Sequence, residues 1–187
     1  MSSGIRIEDL QVVYPGSGEV LLVSRLELEG GRVTVAAGPS GSGKSTLGHA
    51  LCGLLPYLGA KVTGSLALGE EHLDAGDGKA WKRIRGQAVR WIPQDPASAF
   101  TPTRKVLPQM LEGLGKDPLE TYGERLQRLL KSLGLPDVET LRQTHAFEMS
   151  GGMLQRAAAV SAFLPGPPLV VADEPTAHLD PPRTLLM

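Results

Sequence analysis

The 187-residue sequence has a single cysteine, so no disulfide can close within the chain. That residue, Cys52, lies among Leu47, Leu51, Leu54 and Leu55, which reads as a small buried side chain rather than a nucleophile and fits a reducing compartment. Excess charge is missing too. Nineteen Lys and Arg face 20 Asp and Glu, a formal net charge of -1, which offers no global basic field to hold nucleic acid or an anionic membrane. Long apolar runs are also lacking: none approaches the roughly 20 residues that span a bilayer. The start, MSSGIRIEDL, carries neither a basic leader nor an apolar signal segment. A chain on the cytosolic side, held at a membrane only through a partner, is expected. No repeat or low-complexity tract interrupts it. What is present is ordinary globular composition, 41% apolar, enough for one good core and perhaps a subdomain.

Along the chain, IRIEDLQVVY and EVLLVSRLEL alternate apolar and polar residues around a Pro-Gly break, which predicts two strands and a turn. RVTVAAG, a β-branched run, predicts a buried strand leading into a glycine loop, and KSTLGHALCGLL, with apolar spacings of three and four, predicts the helix after it. KVTGSLALG suggests another strand, and LDAGDGKAWKR a polar surface connection. AVRWIPQDP reads as a strand closed by prolines. The segment from Pro96 to about Pro165 is predominantly helical in pattern, with Leu119, Tyr122, Leu126, Leu129, Leu130 and Leu133 on one stripe. PLVVADEP then returns to a buried strand. Strands alternating with helices imply an α/β fold with a mainly parallel sheet and a helical insertion.

Gly38 to Ser45, GPSGSGKS, satisfies the phosphate-loop pattern of Gly, four residues, Gly, Lys and Ser or Thr, between a predicted strand and a helix. Glycines let successive backbone N–H groups turn toward phosphate oxygens, and the helix start adds its positive dipole end. Lys44 supplies a compact charge for the terminal phosphates, and Ser45 a hydroxyl for Mg²⁺. The loop therefore implies a nucleoside triphosphate held by Gly38, Pro39, Ser40, Gly41, Ser42, Gly43, Lys44, Ser45 and Thr46.

Two further constellations bear on the chemistry. LVVADEP delivers Asp173 and Glu174 at the carboxyl end of an apolar strand, where ligands of parallel sheets collect. Asp173 in that position can hold Mg²⁺ and Glu174 can polarise the water that attacks the γ-phosphate. FEMSGGMLQRAAAVSAF places Ser150, Gly151 and Gly152 ahead of a helix-like run, a second place where a hydroxyl and free N–H groups could meet an anion. Two chains docked head to tail could each lend this site to the other's nucleotide, whereas a plain helix cap would serve only its own helix.

GPSGSGKST, QDP with Gln94, MSGGMLQR and VVADEPTAHLD occur in the order and approximate spacing of the ATP-binding subunits of ABC transporters, and the resemblance runs from the first strand to the last residue. It implies a P-loop ATPase core with a mainly parallel sheet, an N-terminal antiparallel β subdomain and a helical subdomain. Residues 1–94 and 166–187 would be the nucleotide-binding core of a single domain, and 95–165 its helical part. It implies ATP and Mg²⁺ as cofactors, catalytic roles for Glu174, Lys44 and Gln94, and Ser45, Gln94 and Asp173 around the metal. Tyr14 would stack on adenine, Ser150 to Gly152 would face the partner's γ-phosphate, and Asp180 would bridge two protomers. A buried core tyrosine is the other reading of Tyr14. The implied partners are a second ATPase subunit, integral membrane permease subunits and, indirectly, a substrate-binding protein. QDPASAFTPTRKV and HAFEMSGGMLQRAAAVSAF, with Met153 where relatives usually have Gln, resemble the branch that imports peptides or nickel, and most of all its nickel ATPase subunits.

The sequence departs from that family near its end. Relatives continue to a histidine that contacts the γ-phosphate, whereas His49, His72, His145 and His178 all precede Asp180. His178 itself reads as a surface residue. The prolines of LDPPRT stand where relatives start a helix, a position that tolerates proline. A truncated nucleotide-binding subunit without efficient hydrolysis is therefore the alternative to a working importer ATPase. A chromosome-maintenance ATPase would need heptad arms between the phosphate loop and the signature, and a small-molecule kinase would leave MSGGMLQR unexplained.

Overall fold

In the computed structural model, which describes residues 4–16 and 18–175, the chain divides after Val89 into two compact units. The first is built on a four-stranded sheet in the order β2-β1-β3-β4, formed by β1 (Ile5–Tyr14), β2 (Gly18–Leu28), β3 (Lys61–Leu68) and β4 (Glu71–Asp74). Every pairing in it is antiparallel. Strand β1 keeps one apolar face only because it breaks its own alternation. Ile5 and Ile7 are buried, then Leu10 and Val12, with one residue too many between the pairs. Asp9 absorbs the excess at φ 50, and β1 advances from Glu8 to Gln11 while β3 advances only from Ser65 to Thr63. This is a bulge that returns Leu10 and Val12 to the core face. Gly64 makes room for it: a Cβ there would stand 2.6 Å from the carbonyl oxygen of Asp9.

Helix α1 (Lys44–Leu51) and a 3₁₀ turn over Leu55–Leu58 precede β3. The stretch LDAGDGKAWKR departs from the expected surface connection. Its first residues finish β4, and Asp77 then caps helix α2 (Gly78–Ile84) by accepting from the N–H groups of Lys79 and Ala80. Trp81 and Ile84, three apart, turn inward, and Trp81 is fully buried. Cys52 is buried as expected, and that burial pushes its thiol pKa up to about 12 despite the opposing field of Arg85.

Residues 32–38 differ more sharply from expectation. They form no strand, and Val33 and Val35 are 94% and 80% exposed. A β-branched run becomes a strand only where neighbours complete its ladder, and this segment pairs with neither sheet.

The second unit carries β5 (Val89–Ile92, its first residue closing the first unit), α3 (Val106–Met110), α4 (Pro118–Ser132), α5 (Val138–Gln143), α6 (Gly151–Phe163) and β6 (Leu169–Ala172). Strands β5 and β6 pair in a two-stranded sheet, so the expected mainly parallel sheet is represented among the described residues by this pair alone. The α4 stripe is where periodicity predicts it: Leu126 and Leu130 are buried, with Leu119, Tyr122, Leu129 and Leu133 packed on the same core. Val106, Met110, Leu141, Leu154, Ala157 and Leu164 complete that core.

Candidate functional site

The two halves of the proposed chemistry lie in different units, and each is described on its own. In the first unit residues 38–42 are exposed and lead into α1, with the half-buried Gly43 at the N-cap position. Gly41 and Gly43 adopt φ 79 and φ 88, left-handed values that side chains rarely take. Gly43 is also hemmed in, since a Cβ there would come 3.2 Å from Leu21 Cδ1, whereas a Cβ at Gly41 would meet open space. The first intrahelical bond runs from Leu47 N–H to Gly43 O at 2.8 Å. The N–H groups of Lys44, Ser45 and Thr46 therefore have no acceptor in their own helix and face the loop. Lys44 Nζ bridges the loop, donating to Gly38 O at 3.0 Å and Pro39 O at 2.8 Å. Ser42 N–H donates to Pro39 O. Ser45 is exposed and Thr46 half-buried. The loop thus combines the unpaired N–H groups of a helix start with one primary amine held on two loop carbonyls, a donor set that fits phosphate oxygens. Tyr14 lies half-buried at the end of β1, paired with Gly18.

In the second unit, Asp173 and Glu174 follow β6 directly, and Asp173 N–H extends the pairing by donating to Ile92 O at 3.0 Å. Gln94 lies just past β5, and its Nε2 donates to Glu174 Oε2 at 2.7 Å. Two residues that the motifs place 80 positions apart thus meet directly, a contact that neither motif announces by itself. Glu174 holds φ 44, so its carboxylate is presented from a strained backbone position.

Ser150 caps α6, its Oγ accepting from Met153 N–H at 3.3 Å. Ser150 and Gly151 are exposed and Gly152 is half-buried, and no Cβ contact constrains Gly151. Behind this cap the helix is apolar except for Gln155, fully buried, Arg156, 8% exposed, and Ser161, whose Oγ donates to Met110 O. Sequence reasoning did not single out Gln155 or Arg90, both polar side chains inside otherwise apolar patterns. Asp180 and His178 lie outside the described residues. Among the described residues no group of three or more His, Cys, Asp or Glu side chains gathers for a metal. The proposed Mg²⁺ ligands Ser45, Gln94 and Asp173 include only one carboxylate, so no such cluster is required of them.

A glycine loop opening a helix, together with an acidic pair closing an apolar strand, defines a phosphate-loop nucleotide-binding protein. Residues 22–177 match the family model described as ABC transporter, and the chain belongs to that family. It is 37% identical over 185 residues to the nickel import ATP-binding protein NikD of Rhodospirillum rubrum, covering 96% of this chain and 68% of that protein. It is also 37% identical over 158 residues to the oligopeptide transport ATP-binding protein OppD of Lactococcus lactis subsp. cremoris, covering 83% of this chain and 47% of that one. The chain thus spans about half to two thirds of the length of these relatives. Among solved structures, the dimeric bacterial ABC transporter cassette MJ0796 superposes with a TM-score of 0.78 at 25% identity, covering 97% of this chain and 78% of that one. CbiO1 of Clostridium perfringens, part of the ABC transporter complex cbiONQ, gives 0.77 at 25% identity, over 99% and 70%.

Proposed function

We propose that the chain binds and hydrolyses Mg²⁺-ATP as the ATPase subunit of an importer of peptides, nickel or metal chelates. The observation that carries this reading is the 38–45 loop, which joins the unpaired N–H groups of a helix start to the amine of Lys44. In it, the backbone of Gly38 to Thr46 wraps the β- and γ-phosphates and Lys44 exchanges its two loop carbonyls for phosphate oxygens. Mg²⁺, when bound, neutralises charge on the transferring phosphoryl group. Ser45, Asp173 and Gln94 would hold it directly or through its waters. Glu174 orients and deprotonates the attacking water, with Gln94 fixing its carboxylate. Tyr14 stacks on adenine, and Ser150 to Gly152 present the cap of α6 to the nucleotide of a second subunit, which Asp180 helps to bridge. Residues 1–94 with 166–187 act as the nucleotide-binding core and 95–165 as the helical part.

The names of the relatives support the choice of branch, with oligopeptide and nickel transport as the cargo classes. A second ATPase subunit and integral permeases are the partners, and a substrate-binding protein acts through the permeases. Nucleic acid has no place in this reading. Among the described residues no helix is long and apolar enough to cross a membrane. Attachment to the cytoplasmic face of the bacterial inner membrane would therefore come through the permeases.

The test is steady-state Mg²⁺-ATP hydrolysis by the chain beside its Lys44→Ala and Glu174→Gln variants, with binding of a fluorescent ATP analogue followed in parallel. Turnover lost in both variants, with binding lost only in Lys44→Ala, is the expected result. Binding without turnover in the unmodified chain would establish the alternative of a nucleotide-holding subunit, and no binding at all would overturn both.

A further inference from the structure

Strand β2 lies at the edge of the first unit's sheet, and it backs the phosphate loop. Gly41 and Gly43 share left-handed backbone angles, but their surroundings differ. A Cβ at Gly41 would meet open space, whereas one at Gly43 would stand 3.2 Å from Leu21 Cδ1 and 3.7 Å from the carbonyl oxygen of Val20. Of these two glycines only Gly43 is held from behind, and it is the one at which the loop becomes α1. Leu21 is delivered there by an irregularity in β2. Where β1 advances one residue from Val12 to Val13, the partners on β2 step back two, from Leu21 to Glu19. Val20 is the extra residue, and a bulge of this kind bends its strand and re-aims the side chains beside it. Leu21 itself pairs with the fully buried Val12 and is half-buried, so it is rooted on the core face of the sheet.

That contact bears on the direction of the donors. Gly43 O accepts the first intrahelical bond, from Leu47 N–H, and the N–H groups of Lys44, Ser45 and Thr46 have no acceptor in their own helix. A donor serves a phosphate oxygen only while its direction is kept, and a glycine backbone by itself keeps little, because so much of its conformational space is open. An apolar side chain against Gly43 narrows that space without competing for the donors. We propose that Leu21 is a positioning residue for nucleotide phosphates, acting through Gly43 to hold the start of α1. This rests on the reading of the 38–45 loop as the triphosphate site and adds to it a residue that lies outside all of the motifs. The same hairpin carries Tyr14, paired with Gly18 close to its turn. One pair of strands would thus serve both ends of the nucleotide, through Tyr14 at the adenine and through Leu21 at the phosphates.

The test is the binding of a fluorescent ATP analogue to the whole chain and four variants of it. Leu21→Val withdraws Cδ1 from Gly43 but keeps an apolar strand former, a change mild enough at a half-buried position to preserve the fold. Leu21→Ile restores a δ-methyl, and Leu22→Val makes the same deletion at the neighbouring residue, 61% exposed on the other face. The dissociation constant should rise about three- to tenfold in Leu21→Val, recover in Leu21→Ile and stay unchanged in Leu22→Val. Gly43→Ala adds the colliding Cβ. Its penalty should be at least about fivefold smaller in the Leu21→Val background than in the unmodified chain, because the strain of a left-handed alanine is common to both and cancels. An unchanged dissociation constant in Leu21→Val, an equal rise in Leu22→Val, no recovery in Leu21→Ile, or the same Gly43→Ala penalty in both backgrounds would overturn the role of Leu21 and leave the nucleotide reading standing. No binding by the unmodified chain would overturn the nucleotide reading, and the role of Leu21 with it.

Discussion

Gln94 Nε2 donates to Glu174 Oε2 at 2.7 Å, joining the residue that follows β5 to the residue that closes the acidic motif after β6. Because β5 and β6 pair, the two ends they deliver arrive side by side, and the amide can fix which way the carboxylate points. Gln94→Ala removes that restraint while leaving Glu174 in place. Its expected consequence is a fall of about 10- to 100-fold in kcat with little change in the affinity for a fluorescent ATP analogue. Equal losses in affinity and kcat would assign Gln94 to nucleotide binding instead.

Glu174 occupies a left-handed backbone position at φ 44, which costs a side-chain-bearing residue about 1 kcal/mol. Glu174→Gly should therefore raise stability by about that amount in urea unfolding while abolishing turnover. A variant both less stable and inactive would show that the carboxylate contributes more to the fold, through Gln94, than its backbone strain removes.

Gly53 is the tightest glycine contact of the first unit. A Cβ there would come 2.1 Å from Trp81 Cδ2, at φ +59, and Trp81 is fully buried. Nothing can yield cheaply, because the indole is itself enclosed. Gly53→Ala should cost at least about 3 kcal/mol, combining overpacking with left-handed strain, and lower Tm by about 6–12 °C. A shift under about 2 °C in a thermal melt would mean that the indole has room to move.

Local signals carried most of the helices and strands. The α4 stripe and the alternation of β1, β2 and β3 are periodicities that a chain displays before it folds. Helix α2 was also within reach: Asp77 followed by Gly78 is an N-cap ahead of an apolar pair three residues apart, outweighed in reading by the surrounding glycines. Residues 32–38 fail for a different reason. Val33 and Val35 satisfy the local pattern of a strand, but a strand exists only through its neighbours, and none pairs with them here. At the site, the phosphate loop and the acidic pair were legible because their spacing is itself the chemistry. The Gln94–Glu174 bond and the contact of Leu21 with Gly43 were not, since both arise from strand pairing and packing that no local pattern encodes.

Gln155 tests how polar groups are tolerated inside α6. Its side chain is fully buried, and neither its Nε2 nor its Oε1 has a hydrogen-bond partner among the described residues. An amide left this way costs about 1–3 kcal/mol, and Met has nearly its shape without its polarity. Gln155→Met should accordingly raise the urea midpoint by an equivalent amount. A lowered midpoint would show that the amide is satisfied in solution, by an enclosed water.

Acid stability should depend on two loop carboxylates that accept backbone hydrogen bonds. The N–H of Thr140 donates to Asp137 Oδ1 at 2.8 Å and holds its pKa below the ordinary 3.8. The N–H of His145 donates to Glu148 Oε2 at 2.6 Å and holds that pKa below 4.5. In both cases the folded state binds the proton less readily than the unfolded one, so the contribution is fully present above the unfolded values and is lost as pH falls through them toward the folded ones. Tm should thus decline between about pH 5 and pH 3. Asp137→Asn keeps the cap of α5 but removes its titration, so it should match the unmodified chain near pH 7 and decline less steeply in acid. Parallel Tm curves for the two proteins across that range would show that the Asp137 cap does not contribute to the acid transition, leaving Glu148 as the group to test next through Glu148→Gln.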